Sequence, residues 1–305
     1  MYSKLHEQIQ GQQYLGKLKK VNKISITKAS GESVPFSAKK LKRSLERAGA
    51  SKDKIDRILE EISSKLYEGI STKKIYRIAF NLLKESSRHL AAKYHLKQAI
   101  MELGPSGYPF EKYIGEILRY QGYKTTVGEI VQGKCVNHEI DVIAEKDHHH
   151  FMIECKYHNQ RGTFSDVKIP LYIQARFKDV EAQWLKLPGH GTKFHQGWVV
   201  TNTRFSSDAI LYGNCAGLKL LGWDYPSKGS LKDLIDTLGL YPITCLTTLT
   251  KTEKHHLLGR KIVLCKEICD NEHYLVQADI NPTRIKSVLE EATQLCKHLI
   301  ENGKH

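Results

Sequence analysis

The chain has 305 residues, of which 40% are hydrophobic and 26% charged; this excludes a disordered or low-complexity polymer and, at roughly 100–200 residues per domain, leaves room for two or three cores. No run of about 18 apolar residues is present to span a bilayer, and the first ten residues (MYSKLHEQIQ) lack the apolar stretch of a secretory leader, so the expected compartment is the cytoplasm, with thiols reduced. The formal net charge of +14 is concentrated: residues 1–104 hold 22 Lys/Arg against 10 Asp/Glu, 105–226 hold 14 against 13, and 227–305 hold 11 against 10, so the first third is the part expected to meet a polyanion.

In chain order, residues 1–21 read as a basic, polar lead-in. Residues 24–36 (ISITKASGESVPF) fit two short strands around a turn at Ser30-Gly31. Two helical stripes follow, one through Ile55, Ile58, Leu59 and Ile62 and one through Ile75, Ile78, Ala79 and Leu82, with Ser71-Thr72 as the N-terminal signal of the second. Gly104-Pro105-Ser106-Gly107 breaks the pattern and marks a domain boundary. Beyond it come a helix over 108–121 ended by Gly122, the apolar segments TTVGEIV, EIDVIA and FMIECKY, a helix over about 166–186, and the segment GWVVTN. That α-β-β-β-α-β order predicts a mixed sheet flanked by helices, and 227–305 predicts helices capped at Ser230 and at Pro282-Thr283. The seven cysteines (135, 155, 215, 245, 265, 269 and 296) are odd in number and scattered, with no second pair to complete a zinc site with Cys265 and Cys269.

The chemistry concentrates in two adjacent apolar segments, His138-Glu139-Ile140-Asp141-Val142-Ile143-Ala144 and Phe151-Met152-Ile153-Glu154-Cys155-Lys156. Residues i and i+2 of a strand share a face, so Glu154 and Lys156 lie together, and a neighbouring strand can bring Asp141 beside them. Asp141 and Glu154 then offer two hard oxygen ligands to Mg²⁺ (or Mn²⁺), and Lys156 offers a cation for the charge that develops on a phosphodiester. Over about 105–226 the chain resembles the PD-(D/E)XK nucleases, in particular the Mrr-like restriction endonucleases. That resemblance implies a metal-dependent DNA endonuclease, with Glu111 of Pro109-Phe110-Glu111 contributing from the preceding helix and Gln174 from the following one. Ile140 stands where the family name has proline. His138 either touches DNA or caps a turn, and His148-His149-His150 reads as a solvated hairpin turn.

Residues 22–104 resemble the ATP-cone domain through Ile26-Thr27-Lys28, Gly31, Phe36-Ser37-Ala38-Lys39-Lys40, Gly69-Ile70-Ser71-Thr72 and HLAAKYHLKQAI. The resemblance implies ATP or dATP as a regulatory ligand, held without hydrolysis by Ile26, Lys28, Lys40 and Thr72. Lysines beside a helix N-terminus suit a triphosphate. Ala29 and Val34 depart from the family pattern where a basic and an acidic residue are usual. Residues 241–300 faintly resemble helix-hairpin-helix modules, although the hairpin after Ala278 lacks their glycines.

The expected fold class is therefore a multidomain α+β and α/β chain: a lead-in (1–21), a small, mostly helical ATP-cone with an N-terminal β-hairpin (22–104), a restriction-endonuclease-like mixed sheet flanked by helices (105–226) and a helical C-terminal domain (227–305). Expected partners are DNA, an adenine nucleotide and further copies of the chain, with no membrane, in restriction or anti-invader defence. The alternatives are a nucleotide-sensing DNA-binding regulator and a degenerate nuclease that only binds DNA; regulators of the first kind carry a Cys-rich zinc ribbon before the cone, whereas no Cys precedes Cys135 here.

Overall fold

The computed structural model describes residues 24–160, 162–189 and 194–301; the lead-in at 1–21 lies outside the described residues. The chain forms two compact units that part between His95 and Leu96.

In the first unit, β1 (Ser25–Thr27) pairs antiparallel with β2 (Ser33–Pro35) and parallel with β3 (Ile70–Ser71), so β1 is central. The expected turn forms at Gly31, whose φ of 84° needs no Cβ, with Gly31 N–H donating to the Lys28 carbonyl at 3.0 Å. Helix α1 (Ala38–Arg47) starts at Ser37, whose Oγ accepts from Lys40 N–H at 3.3 Å. Helices α2 (Lys52–Lys65), α3 (Thr72–Ser86) and α4 (Arg88–Met101) follow. Ser71 caps α3 by accepting from Lys74 N–H at 3.2 Å. The stripe of α2 is buried as expected, at Ile55, Ile58, Leu59 and Ile62. On α3 the buried line is Ile75, Ala79 and Leu83, with Ile78 and Leu82 only partly covered. A leucine at both 82 and 83 leaves the 3.6-residue pattern ambiguous by one position, and packing selects the second.

The second unit is built on a five-stranded sheet in the order β10-β8-β6-β5-β4. Helix α5 (Tyr108–Tyr120) leads into β4 (Lys124–Gln132), β5 (Asn137–Lys146) and β6 (His149–Lys156), an antiparallel meander. After the short β7 (Phe164–Ser165), helix α6 (Lys168–Trp184) crosses to β8 (Phe194–Thr201), parallel to β6. The short β9 (Arg204–Phe205) and α7 (Ser207–Cys215) then lead to β10 (Lys219–Leu221), parallel to β8. The mixed, helix-flanked sheet matches the expectation, with β10 as a strand the segment pattern had not separated.

Helix α6 buries Ile173, Phe177, Val180 and Trp184 in a cluster with Met152 and Val199. Helix α5 packs close to β4 because position 115 is glycine: a Cβ there would lie 2.8 Å from Val127 Cγ2. Likewise a Cβ at Gly213 of α7 would lie 2.6 Å from Leu220 Cδ1 of β10. His150 corrects the hairpin-turn reading of the His run. Only His148 remains in the turn, whereas His150 is buried on β6 with its ring 3.9 Å from that of Trp184. A strand sends alternate residues inward, and residue 150 falls on the side covered by α6.

Helices α8 (Leu231–Leu238), α9 (Lys251–Gly259), α10 (Cys265–Asp270), α11 (His273–Gln277) and α12 (Pro282–Glu301) complete this unit. Ser230 caps α8 through Asp233, as expected. At α12 Asn281 fills that role, its Oδ1 accepting from Thr283 N–H at 3.0 Å, because proline at the first helical position has no N–H to satisfy. Tyr113 Oη donates to the Leu240 carbonyl and Thr244 Oγ1 to that of Ala99, each at 2.7 Å, fastening the segment between α8 and α9 to α5 and α4.

Candidate active site

Strands β5 and β6 pair in register from Lys146↔His149 up to Val142↔Ile153 and then part. Where the ladder stops, Asp141 replaces it: its Oδ2 accepts from Cys155 N–H at 2.7 Å. That bond fixes the Asp141 carboxylate between the residues that flank Cys155, namely Glu154 and Lys156. Glu154 Oε2 accepts from Arg176 Nη1 of α6 at 2.7 Å, and Arg176 Nη2 also donates to the Glu139 carbonyl. Glu111, in the second turn of α5, completes the group; its Oε1 lies back over the helix start, 2.9 Å from where a Cβ would sit on Gly107.

These acids feel one another. Burial first, then the charges of Asp141, Glu139 and Glu154, pushes Glu111 up to about 7. Glu154 is also pushed up to about 7, by burial and then by Asp141, against the opposing pull of Arg176 and Lys156. Asp141 is raised by burial, with the Cys155 N–H and Arg176 working against it. The site thus holds more acid than its own cations neutralise, which is the electrostatic demand that a divalent cation meets.

The donor set fits Mg²⁺. Its oxygens are hard, and Mg²⁺ takes one or two carboxylates while keeping waters and substrate phosphate as its remaining ligands. Accordingly, no cluster of three or more His, Cys, Asp or Glu side chains at metal-ligand spacing occurs among the described residues.

The structure therefore brings together Glu111, Asp141, Glu154 and Lys156. Gln174 lies on α6 with its Oε1 buried and lacking a hydrogen-bond partner, two residues before Arg176. Arg176 and Glu139 are the members that sequence reasoning missed. Glu139 was within reach of the period-two rule, being two residues from Asp141. Arg176 carried no such signal, because an arginine on the polar side of an amphipathic helix reads as solvated. His138 holds a turn: its Nε2 is 2.8 Å from Asp179 Oδ2, and Asp179 also accepts from the N–H groups of Cys135 (2.9 Å) and Val136 (3.3 Å). These bonds, with His138 foremost, hold the Asp179 carboxyl down at about 2.

In the first unit, the parallel pair Thr27↔Ser71 places Lys28 and Thr72 side by side where β1 and β3 end. The start of α1, which carries Lys40, is fastened at the opposite end of β1, where Phe36 N–H donates to the Ile24 carbonyl at 2.8 Å. About 13 Å of extended chain separates residues 24 and 28, at about 3.3 Å per residue. Lys28 is exposed and pairs with Glu32 Oε2 at 2.8 Å. Ile26 is buried in the core of this unit at 8% exposure, so its side chain supports the strand rather than lining a surface.

Comparison with known proteins agrees with this layout. An ATP cone domain model matches residues 24–99, a restriction endonuclease model 104–224, and an AF1548-like C-terminal model 241–296. An uncharacterized protein of Archaeoglobus fulgidus is 38% identical over 183 residues, 60% of this chain and 99% of its own. The crystal structure of AF1548, a protein of unknown function, is similar with a TM-score of 0.53 and 35% identity, over 63% of this chain and 99% of that one. The chain therefore belongs to the AF1548-like family and carries, in order, an ATP-cone domain, a restriction-endonuclease domain and the AF1548-like C-terminal domain.

Proposed function

We propose that the protein is a metal-dependent DNA endonuclease whose activity responds to ATP or dATP bound by the cone, acting in the restriction of invading DNA. The observation that carries this reading is the gathering of Asp141, Glu154, Lys156 and Glu111 where β5 and β6 part, with the acids crowded enough to raise two of them to about 7. Asp141 and Glu154 would hold Mg²⁺ or Mn²⁺, which when bound supplies Lewis-acid polarisation of a phosphate and a lower pKa for water. Lys156, two residues from Glu154, brings its ammonium to the oxygens that gain charge as the phosphodiester is attacked. Cys155 N–H and Arg176 act as positioning groups, one holding Asp141 and the other Glu154. Glu111, poised near neutrality, holds or gives up a proton at its carboxyl without large cost at physiological pH. The test is incubation of purified protein with supercoiled plasmid in Mg²⁺ or Mn²⁺. Nicked or linear product that EDTA prevents is expected, and plasmid left intact in both metals overturns the proposal.

The regulatory half has its own test. Lys28 and Thr72 at one strand end, with Lys40 at the start of α1, form the cationic surface that a triphosphate would occupy. ATP or dATP should raise the melting temperature, since a ligand at 100 times its Kd stabilises the native state by about 2.7 kcal/mol. Lys28→Ala with Lys40→Ala should abolish that shift and any nucleotide effect on cleavage, while cleavage itself persists. Absence of any thermal shift or binding heat at millimolar ATP and dATP in the wild type would leave the cone without its proposed ligand.

A further inference from the structure

The C-terminal region is close to neutral as a whole, yet residues 251–261 (KTEKHHLLGRK) hold four Lys/Arg and two His against a single acid. That acid, Glu253, is occupied: it accepts from Arg284 Nη1 at 2.5 Å and caps α9 through Thr250 N–H at 2.7 Å. Lys254 is turned inward, donating to the Thr244 carbonyl at 2.6 Å. His255, Arg260 and Lys261 remain exposed, and among the described residues no carboxylate pairs with Arg260 or Lys261. Lys261 adopts a φ of 64°, a left-handed conformation unusual for a lysine, which closes α9 and directs the chain back toward Ile262.

This basic segment faces the cleavage domain across an open groove. One wall is His255, Leu258, Gly259 and Lys261; the other is 104–106 with Tyr108 and Pro109, and the space between them is about 550 Å³. Lys261 Nζ sits 5.4 Å from the centre of the Tyr108 ring. Tyr108 is the first residue of α5 and Glu111 the fourth, and the Glu111 carboxylate lies against Gly107, between Ser106 and Tyr108 of the wall. Three helical residues rise about 4.5 Å, close to the roughly 3.4 Å that one nucleotide occupies along a duplex strand. A strand whose scissile phosphate is at Glu154 and Lys156 therefore has its neighbouring phosphates within the span of this groove.

We propose that the DNA strand under cleavage continues through this groove, so that the C-terminal region is part of the substrate site and His255, Arg260 and Lys261 contact its phosphates. The inference rests on the nuclease reading for its substrate, and its test is a binding measurement that does not require cleavage. Full-length protein is titrated onto a labelled duplex in Ca²⁺ in place of Mg²⁺, by fluorescence anisotropy over a range of salt. Arg260→Ser with Lys261→Gly removes two charges, and glycine at 261 suits the left-handed backbone, so the fold is retained. The double variant should bind at least 10-fold more weakly, with a salt slope shallower by about 1.8, at about 0.9 for each lost phosphate contact. Lys228→Glu, an exposed charge outside the groove, serves as the control. In Mg²⁺ the double variant should lose cleavage at limiting DNA and regain it at saturating DNA. Affinity and salt slope equal to those of the control overturn the proposal, as does a wild type that binds no duplex. A wild type that binds through these residues but never cleaves overturns only the nuclease reading.

Discussion

Asp141→Asn, Glu154→Gln and Lys156→Ala each lower the plasmid-nicking rate by roughly 10²–10³ or more, the scale of losing one electrostatic group that acts on the transition state. The amide substitutions keep shape and remove charge. In Asp141→Asn the side-chain oxygen still accepts from Cys155 N–H, so the parting of β5 and β6 is preserved and the loss reports on charge alone. Glu154→Gln still accepts from Arg176. Circular dichroism and the unfolding midpoint should therefore match the wild type while the rate falls. Wild-type cleavage by all three variants would remove these residues from the proposed chemistry.

Glu291→Ala should cost about 2–6 kcal/mol of unfolding free energy, the largest stability loss expected of a single side chain in the C-terminal region. The Glu291 carboxylate is 3% exposed and accepts from Thr247 N–H at 3.0 Å, Thr247 Oγ1 at 2.8 Å, Thr248 N–H at 2.9 Å and Thr248 Oγ1 at 2.7 Å. Truncation leaves two backbone donors without a partner, at roughly 1–3 kcal/mol each. Glu291→Gln retains one acceptor oxygen and should lose less. Because Thr247 and Thr248 lead directly into α9, the damage should extend to the basic segment and weaken DNA binding as well. Urea unfolding of the three proteins checks this, and an alanine variant within 0.5 kcal/mol of wild type would show that water replaces the carboxylate without cost.

What was legible in the sequence was what short-range periodicity encodes. Glu154 and Lys156 share a strand face because alternate residues must, and Ser71 and Ser230 announce helix starts through bonds made within three or four residues. What was not legible depends on partners distant in the chain. β3 is two residues long and exists only because Ile70 and Ser71 pair with Ile26 and Thr27. His150 is buried only because Trp184 of α6 lies over it, which no property of a His run foretells. Arg176 enters the candidate site from 22 residues beyond Glu154, and its neighbours on the helix give no reason to single it out. The acids were readable as residues, whereas their crowding, and hence the raised Glu111 and Glu154, emerges only when three separate elements converge.

The close approach of α5 to β4 also constrains how related chains can diverge. With only 2.8 Å between a Cβ at position 115 and Val127 Cγ2, a methyl group gained on the helix has to be a methyl group given up on the strand. Positions 115 and 127 should therefore drift as a linked pair, alanine at the first accompanying a residue smaller than valine at the second, and 213 with 220 should follow the same rule. Either change made alone would tilt α5 or α7 away from the sheet. At 115 the helix so displaced is the one that carries Glu111, so the inheritance of a single methyl group in the packing is tied to the placement of an acid at the far end of the same helix.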